Sequence, residues 1–506
     1  MDNLLKIHNG RAIPRSSIPQ VSYDVFFKTL SDFVRNDGFI VQFFAYQNED
    51  RYNLIAVVRN IDLYVIGTET GNIFKSLTGA VSERFHMFER EIAEQFGINP
   101  DGHPWLKMVR YHKNYSSEKD VFDNNYNNDI PGNYPYFRVE GESIHEVAVG
   151  PVHAGIIEPG HFRFQCAGEE VLHLEIQLGY QHRGIEKMLP ALPQKRLPII
   201  CESIAGDTAI GHNLSFCQAF EALAGLDVDK GASIVRTIAL ELERISNHIG
   251  DLGALSGDVA FNPPAAYFGR LRGEFLNLLQ VLSGNRFGKG LVRPGGVAHL
   301  MRKAQRELLR EKLAEVTPEI EHVCDLLFTA HTVQARFEHT GTVNHEMAKD
   351  LGLVGYAGRA CGIAYDARVM FPTECYAELP ANTNLVTNGD VNSRAEVRRE
   401  EIMHSLKLID ILLDKHELLD TTSGAIHMQD HNLSAESFVV TINEGWRGEV
   451  SHCIMTDSNG KVERYKIKDP SFHNWTGLAM SLRNQEISDF PLCNKSFNLS
   501  YCGFDL

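Results

Sequence analysis

Residues 112–136, HKNYSSEKDVFDNNYNNDIPGNYPY, decide most about how this chain can fold. They are so rich in Asn, Asp, Ser, Pro and Gly that no continuous core can run through them. The 506-residue chain is also too long for one core, because single cores stop growing at about 250–300 residues. We therefore expect a small domain at 1–115, a linker at 116–137 and a large domain at 138–506.

The small domain mixes two periods. Tyr23, Phe26, Phe27, Leu30, Phe33 and Val34 repeat at helical spacing, whereas residues 39–44, 52–58 and 61–66 are β-rich runs. Residues 82–106, SERFHMFEREIAEQFGINPDGHPWL, predict a short amphipathic helix with Phe85, Phe88, Ile92 and Phe96 on its apolar side and Gly97 at its end.

The large domain opens with alternation at 162–165 and 171–176 around Ala167-Gly168-Glu169-Glu170, which predicts a β-hairpin. A helix is expected to begin near His182-Arg183-Gly184-Ile185-Glu186-Lys187. Residues 209–330 are helical in period. The 232–255 segment, with ELERISNHIGDLGAL, places acids and bases at i, i+3 and i+4 beside an apolar stripe. Asn262-Pro263-Pro264 predicts a break before a helix over 267–282, and Pro318 a break inside 304–337. Alternation returns at 437–468, so the domain is expected to close with strands. The fold class is thus α+β: a small α/β unit, then a mainly helical body with strands at its start and end.

Several functions are excluded by the same text. With 49 basic and 65 acidic residues the net charge is −16 and no long basic run occurs, so nucleic-acid binding is not expected. No apolar window approaches membrane-spanning length, and the N-terminus lacks a signal-peptide core, so the expectation is a cytoplasmic chain that is not itself transmembrane. The nine cysteines are scattered without a CxxC and read as reduced packing residues. Residues 286–296 do not fit GxxxxGK[ST], and the glycines of 352–358 lack the context of a dinucleotide fingerprint.

Motif order supplies a positive indication. The ER-EI-x-x-x-FGI run followed by Gly102-His103-Pro104 resembles the thirty-kilodalton subunit of respiratory complex I. GPxH at 150–153, PGHFR at 159–163, HRGxEK at 182–187, the 358–368 run and the 389–394 run resemble, in this order, the large-subunit family. That family contains the forty-nine-kilodalton, quinone-site subunit of complex I and the catalytic subunit of energy-converting nickel–iron hydrogenases. The whole resembles a fusion of those two complex I subunits into one large subunit of the formate hydrogenlyase type. The resemblance implies a peripheral position on the cytoplasmic side of the inner membrane. The implied partners are an iron–sulfur small subunit like the twenty-kilodalton one of complex I, which would hold the cluster, antiporter-like and other membrane subunits, and a ferredoxin-like subunit.

Soft thiolates hold nickel and iron in this family, in two pairs. The first pattern, ERxCGxCxxxH, falls on Glu202 to His212 with Ala205 and Thr208 at the cysteine positions; the second falls on 498–503 with Ser500 and Gly503. A nickel–iron centre is therefore not expected. Quinone at the same cleft is the alternative, although Gly206 stands where that branch has a tyrosine and Pro159 near its loop histidine.

The candidate catalytic residues are Glu186, His212, Asp207 and His153, with His161 and Arg183 as candidate cofactor contacts. Glu186 matches the family's proton-passing glutamate. Two roles stay open for it, a titrating carboxylate or a buried pair with Arg183 that fixes the turn. His212 is open between a core or cap residue and a proton carrier. The sequence leaves four functions standing: redox-linked proton or conformational coupling without nickel, quinone reduction, a non-catalytic scaffold, and a hydrogenase that uses unusual ligands.

Overall fold

The structure is a computed structural model and describes residues 3–48, 51–116, 121–122, 131–132, 135–155, 157–383, 385–420 and 430–506. Most of the linker expected at 116–137 lies outside the described residues.

The first body is a five-stranded sheet. Strands Phe39–Asn48, Arg51–Arg59, Leu63–Thr70 and Leu5–Ile7 run antiparallel in that order, and Gln20–Val21 pairs in parallel with the third. Helix Tyr23–Arg35 covers it with Phe26 and Leu30 fully buried, as the helical spacing predicted. Helix His86–Phe96 ends at Gly97, whose φ of 68° is the left-handed conformation a helix C-terminus favours. All ten of its residues from Met87 to Phe96 are buried, so this helix is an interior element and not an amphipathic surface one.

The expected hairpin forms from His161–Ala167 and Glu170–Gln177, with Ile144–Val149 as a third antiparallel strand. Helices Ala209–Ala224, Lys230–Asp258, Asn262–Ser283, Lys303–Phe328 and Val391–Leu413 make the body. The prolines after Asn262 occupy the first turn of their helix, where a missing N–H costs nothing. Pro318 does not break its helix: Leu309, Leu313, Val316 and Ile320 are buried along one continuous stripe. That packing outweighs the ~3 kcal/mol a mid-helix proline costs.

Strands Ser437–Gly445, Gly448–Thr456 and Val462–Lys468 form the late sheet, and Ile13–Pro14 of the first body adds its fourth strand. The chain closes on helices Ser471–Ser481, Phe490–Phe497 and Tyr501–Asp505, not on strands. Their sequence contains Pro491 and short apolar runs that carry little periodicity of their own.

The charges spaced along the Lys230–Asp258 helix lie inside the molecule: Arg236, Glu241, Glu243, Arg244 and His248 are all buried. Each needs a partner from another element, since an unpaired buried charge is costly. Arg244 meets Glu241 at 3.2 Å and Glu401 at 3.7 Å, and Arg359 ties Glu401 to Glu444.

Candidate functional site

The two half-motifs converge. Arg183 reaches across the gap, its guanidinium donating to the carbonyls of Ser203 and Ile204 on one side and Cys502 on the other, the latter two at 2.8 Å. Arg447, at the turn of the late hairpin, pairs with both oxygens of Asp207 at 2.7 and 2.8 Å and donates to the Asn498 carbonyl at 2.6 Å. The loop before the early hairpin closes the third side. Tyr501 packs where a Cβ on Gly160 would stand, and Glu158 accepts from the Cys502 N–H at 3.0 Å.

The four positions where the resemblance led us to expect thiolates are occupied by groups with other work. Ala205 is buried and offers no donor atom. Thr208 accepts from the Trp446 indole at 3.1 Å and donates to Asp207. Ser500 accepts from the Gly503 N–H at 2.8 Å, capping the last helix. At Gly503 a Cβ would lie 2.7 Å from Asp469 Oδ2 and 2.8 Å from Ser500 Oγ, so no cysteine fits there without displacing both. Cys502 brings the one thiol near the cleft, its Sγ 3.5 Å from Ser500 Oγ and 3.7 Å from Glu158, and a single thiol cannot hold such a group. This donor set does not fit a nickel–iron group, and among the described residues no three His, Cys, Asp or Glu are arranged to hold a metal ion.

Of the residues singled out in sequence, His212 is the most informatively placed. It is fully buried; its Nε2 lies 2.9 Å from Asp469 Oδ2 and its Nδ1 3.1 Å from His452 Nε2. His452 Nδ1 is 2.8 Å from the Tyr465 hydroxyl, and the Cys201 thiol abuts that hydroxyl. Neutral tautomers satisfy every atom in one direction: Tyr465 donates to His452, His452 to His212, and His212 to the Asp469 carboxylate. Burial and the neighbouring His212 hold His452 well below the usual histidine range, and burial and Cys201 push Tyr465 up. Burial opposes the charge on Asp469, but His212 and Arg447 outweigh it and keep its pKa low.

Glu186 does not pair with Arg183. It accepts from Lys466 at 2.7 Å, Arg464 at 3.2 Å and the Ile467 N–H at 2.9 Å, in a buried cluster that shares Lys466 with Glu91. Burial alone would raise its pKa; Lys466, Arg464 and Arg110 reverse that and hold it well below the carboxylate range. The same logic applies to Asp207, where Arg447 overcomes desolvation. His153 and His161 brace their own loop, through the carbonyls of Gly160 at 2.8 Å and Gly150 at 3.1 Å. They are not in the His212 chain.

Asp469, His452, Tyr465, Arg447 and Glu243 were not singled out from the sequence. The available signal was polar residues on strands 448–456 and 462–468, too many for one solvated face. Strand Gly448–Thr456 is in fact buried at every position.

The family model described as respiratory-chain NADH dehydrogenase, 49 Kd subunit, matches residues 258–437 and 417–505. Formate hydrogenlyase subunit 5 of Escherichia coli is 27% identical over 423 residues, covering 82% of this chain and 74% of that one. The membrane-bound hydrogenase subunit alpha of Pyrococcus furiosus is 29% identical, covering 70% and 85%. NADH-quinone oxidoreductase subunit 4 of Thermus thermophilus is 29% identical, covering 67% and 89%. A chain of the membrane-bound sulfane sulfur reductase, an archaeal respiratory membrane complex, superposes with a TM-score of 0.67 at 23% identity over 74% of this chain and all of that one, and so shares the fold. The chain belongs to the family that joins this NADH dehydrogenase subunit to the large subunits of membrane-bound hydrogenases.

Proposed function

We propose that this chain is the large subunit of a membrane-associated oxidoreductase complex related to complex I and formate hydrogenlyase, and that its cleft handles protons without a nickel site. The observation that carries the reading is the hydrogen-bonded line from Tyr465 through His452 and His212 to Asp469, which ends against Gly503, one of the positions where thiolates were expected. Protonation at one end reverses each donor and acceptor in turn, so the line conducts a proton between its ends without moving a heavy atom far. The remaining cleft residues position it: Arg447 keeps Asp207 ionised, and Arg183 holds the two half-motifs together.

Membership in the family supports docking against an iron–sulfur partner that delivers electrons, and against membrane subunits on the cytoplasmic side. Among the described residues no helix is long and apolar enough to cross a membrane, so membrane attachment would come from those subunits. We also propose that residues 1–115 serve the assembly as the smaller of the two fused complex I subunits does, by offering a docking surface without chemistry of its own.

The test is metal analysis and turnover of the purified complex. Nickel below one tenth of the chain content, with donor-dependent electron flow that falls at least tenfold in His212→Ala and in His452→Phe, is the expected result. Stoichiometric nickel, or assembled variants with unchanged turnover, would overturn it.

A further inference from the structure

Among the described residues, Glu243 is a buried carboxyl with no cation at ion-pair distance. It sits mid-helix in Lys230–Asp258, 3% exposed, and turns its carboxyl toward the start of helix Ala209–Ala224. Oε2 accepts from the Ile210 N–H at 2.7 Å and Oε1 from the Gly211 N–H at 3.1 Å. Gly211 makes the approach feasible, since a Cβ there would stand 3.4 Å from Oε1 and 3.1 Å from Thr208 Cγ2. Among the described residues no Lys, Arg or His lies at ion-pair distance from it. Its helix neighbour Glu241 shows the contrast: that carboxyl meets Arg244, Arg368, Tyr376 and Ser405, and Arg244 and Arg368 overcome burial to hold it at about 2.

The groups facing Glu243 are few. Asp207 lies on the turn that leads into the facing helix, paired with Arg447 from the late hairpin; His212 follows Gly211 on that helix and is bound to Asp469. Arg244 is on its own helix but is committed to Glu241, Glu401 and the carbonyls of Glu444 and Gly445. Glu401, on helix Val391–Leu413, is in turn held by Arg359 and His248. Asn247 fixes the relation of helix to turn by donating to the carbonyls of Asp207 and Glu243, both at 2.9 Å.

We propose that Glu243 is the proton-loading group of the cleft, a buried carboxyl that takes up one proton from water reaching the 205–208 turn and returns it there, in step with the charge on Asp207. The proposal rests on reading the cleft as a metal-free proton site. No bond other than O–H forms or breaks, and no electron passes to the chain. Two carboxyls on either side of one turn, one clamped by Arg447 and one held only by main-chain N–H groups, have their proton affinities driven apart, which is how acid and base roles are divided at one site. Burial, reinforced by the Asp207 charge, raises Glu243 to about 8 against the pull of the two N–H bonds and Arg244.

Infrared difference spectra of the purified complex between pH 6 and 9 test this directly. A buried carboxylic C=O band that titrates near neutrality is expected, absent in Glu243→Gln. In Asp207→Asn its midpoint should fall by about one unit, because an anion is removed and Arg447 is left unopposed. No such band in the wild type, or a band unchanged in both variants, overturns the proposal. Should Glu243→Gln fail to fold, the Asp207→Asn midpoint decides alone, and an unmoved band counts against it. The outcome separates from the functional reading: stoichiometric nickel would overturn that reading while leaving the titration in place, and a nickel-free active complex without the titration would overturn only this inference.

Discussion

At the residue scale, the cleft is defined by the groups that stand where thiolates were expected, and Gly503 is the sharpest case. Its missing Cβ is the space in which Asp469 Oδ2 accepts from His212. Gly503→Ala should therefore destabilise the protein by about 1–3 kcal/mol through overpacking and should disturb the relay as well. A thermal melt and the proton-linked turnover of the same variant check both halves, and an unchanged melt would count against the close approach. Ala205 differs, because adding a sulfur there meets no partner thiolate, so Ala205→Cys should restore no nickel binding even in a nickel-replete host. Glu243 makes a third case, with its sign worked out. Its pKa is about 8 in the fold against 4.5 when free, so the native state binds the extra proton between those values. The stabilisation it gives is complete below about pH 4.5 and is lost as pH rises toward 8. Glu243→Gln, which mimics the neutral form, should gain on the wild type by a few kcal/mol of unfolding free energy, measured by denaturation, between pH 5 and 8; equal slopes would refute the raised affinity.

At the element scale, the sequence showed the strands of the first sheet, the 161–177 hairpin and the long helices because each carries its own period. It misjudged or left open elements whose burial comes from elsewhere. The acid and base spacing of the Lys230–Asp258 helix does not tell which charges are buried, and Arg359, Arg368 and Glu401, more than a hundred residues later in the chain, supply the partners that let it be buried. His212 was legible through its motif, whereas Asp469 and His452 were not, because nothing local marks a strand residue that completes a histidine more than two hundred positions earlier. Pro318 is a further instance: tertiary packing holds the helix across it. Pro318 is exposed and its helix is continuous. Pro318→Ala should then restore an N–H and stabilise by about 1–3 kcal/mol, less what the more flexible unfolded chain gives back. Chemical denaturation at an unchanged m-value is the measurement, and a lower midpoint would show that the proline is not strained there.

At the scale of the whole molecule, the first and last sheets are joined by buried ions, not by apolar contact alone. Arg59 and Lys468 share Glu449, Lys466 bridges Glu91 of the first body to Glu186 of the second, and Arg110 adds to the same cluster. Removing one member leaves its partners buried and unpaired, so Lys466→Met should cost about 3–5 kcal/mol. These pairs also set the pH response. Glu241 and Glu449 are held at about 2, each against desolvation, by Arg244 and Arg368 in one case and Lys468 and Arg59 in the other. Depressed carboxyls contribute fully above about pH 4.5 and lose that contribution as pH falls toward 2. Glu243 and Glu444, raised by burial to about 8 and about 7, do the reverse and lose their contribution as pH rises. His86, held down at about 3 by burial, and His103, His112 and His182, held down at about 4, contribute fully only above about pH 6.5, so the sets together leave a maximum between about pH 6 and 7, with stability declining toward pH 2 and, less steeply, toward pH 8. Denaturant midpoints measured from pH 3 to 9 should trace that asymmetric dome. A plateau running level from about pH 6.5 to 9 would mean that Glu243 and Glu444 are ionised throughout, and that the cleft is clamped by ion pairs with no carboxyl free to load.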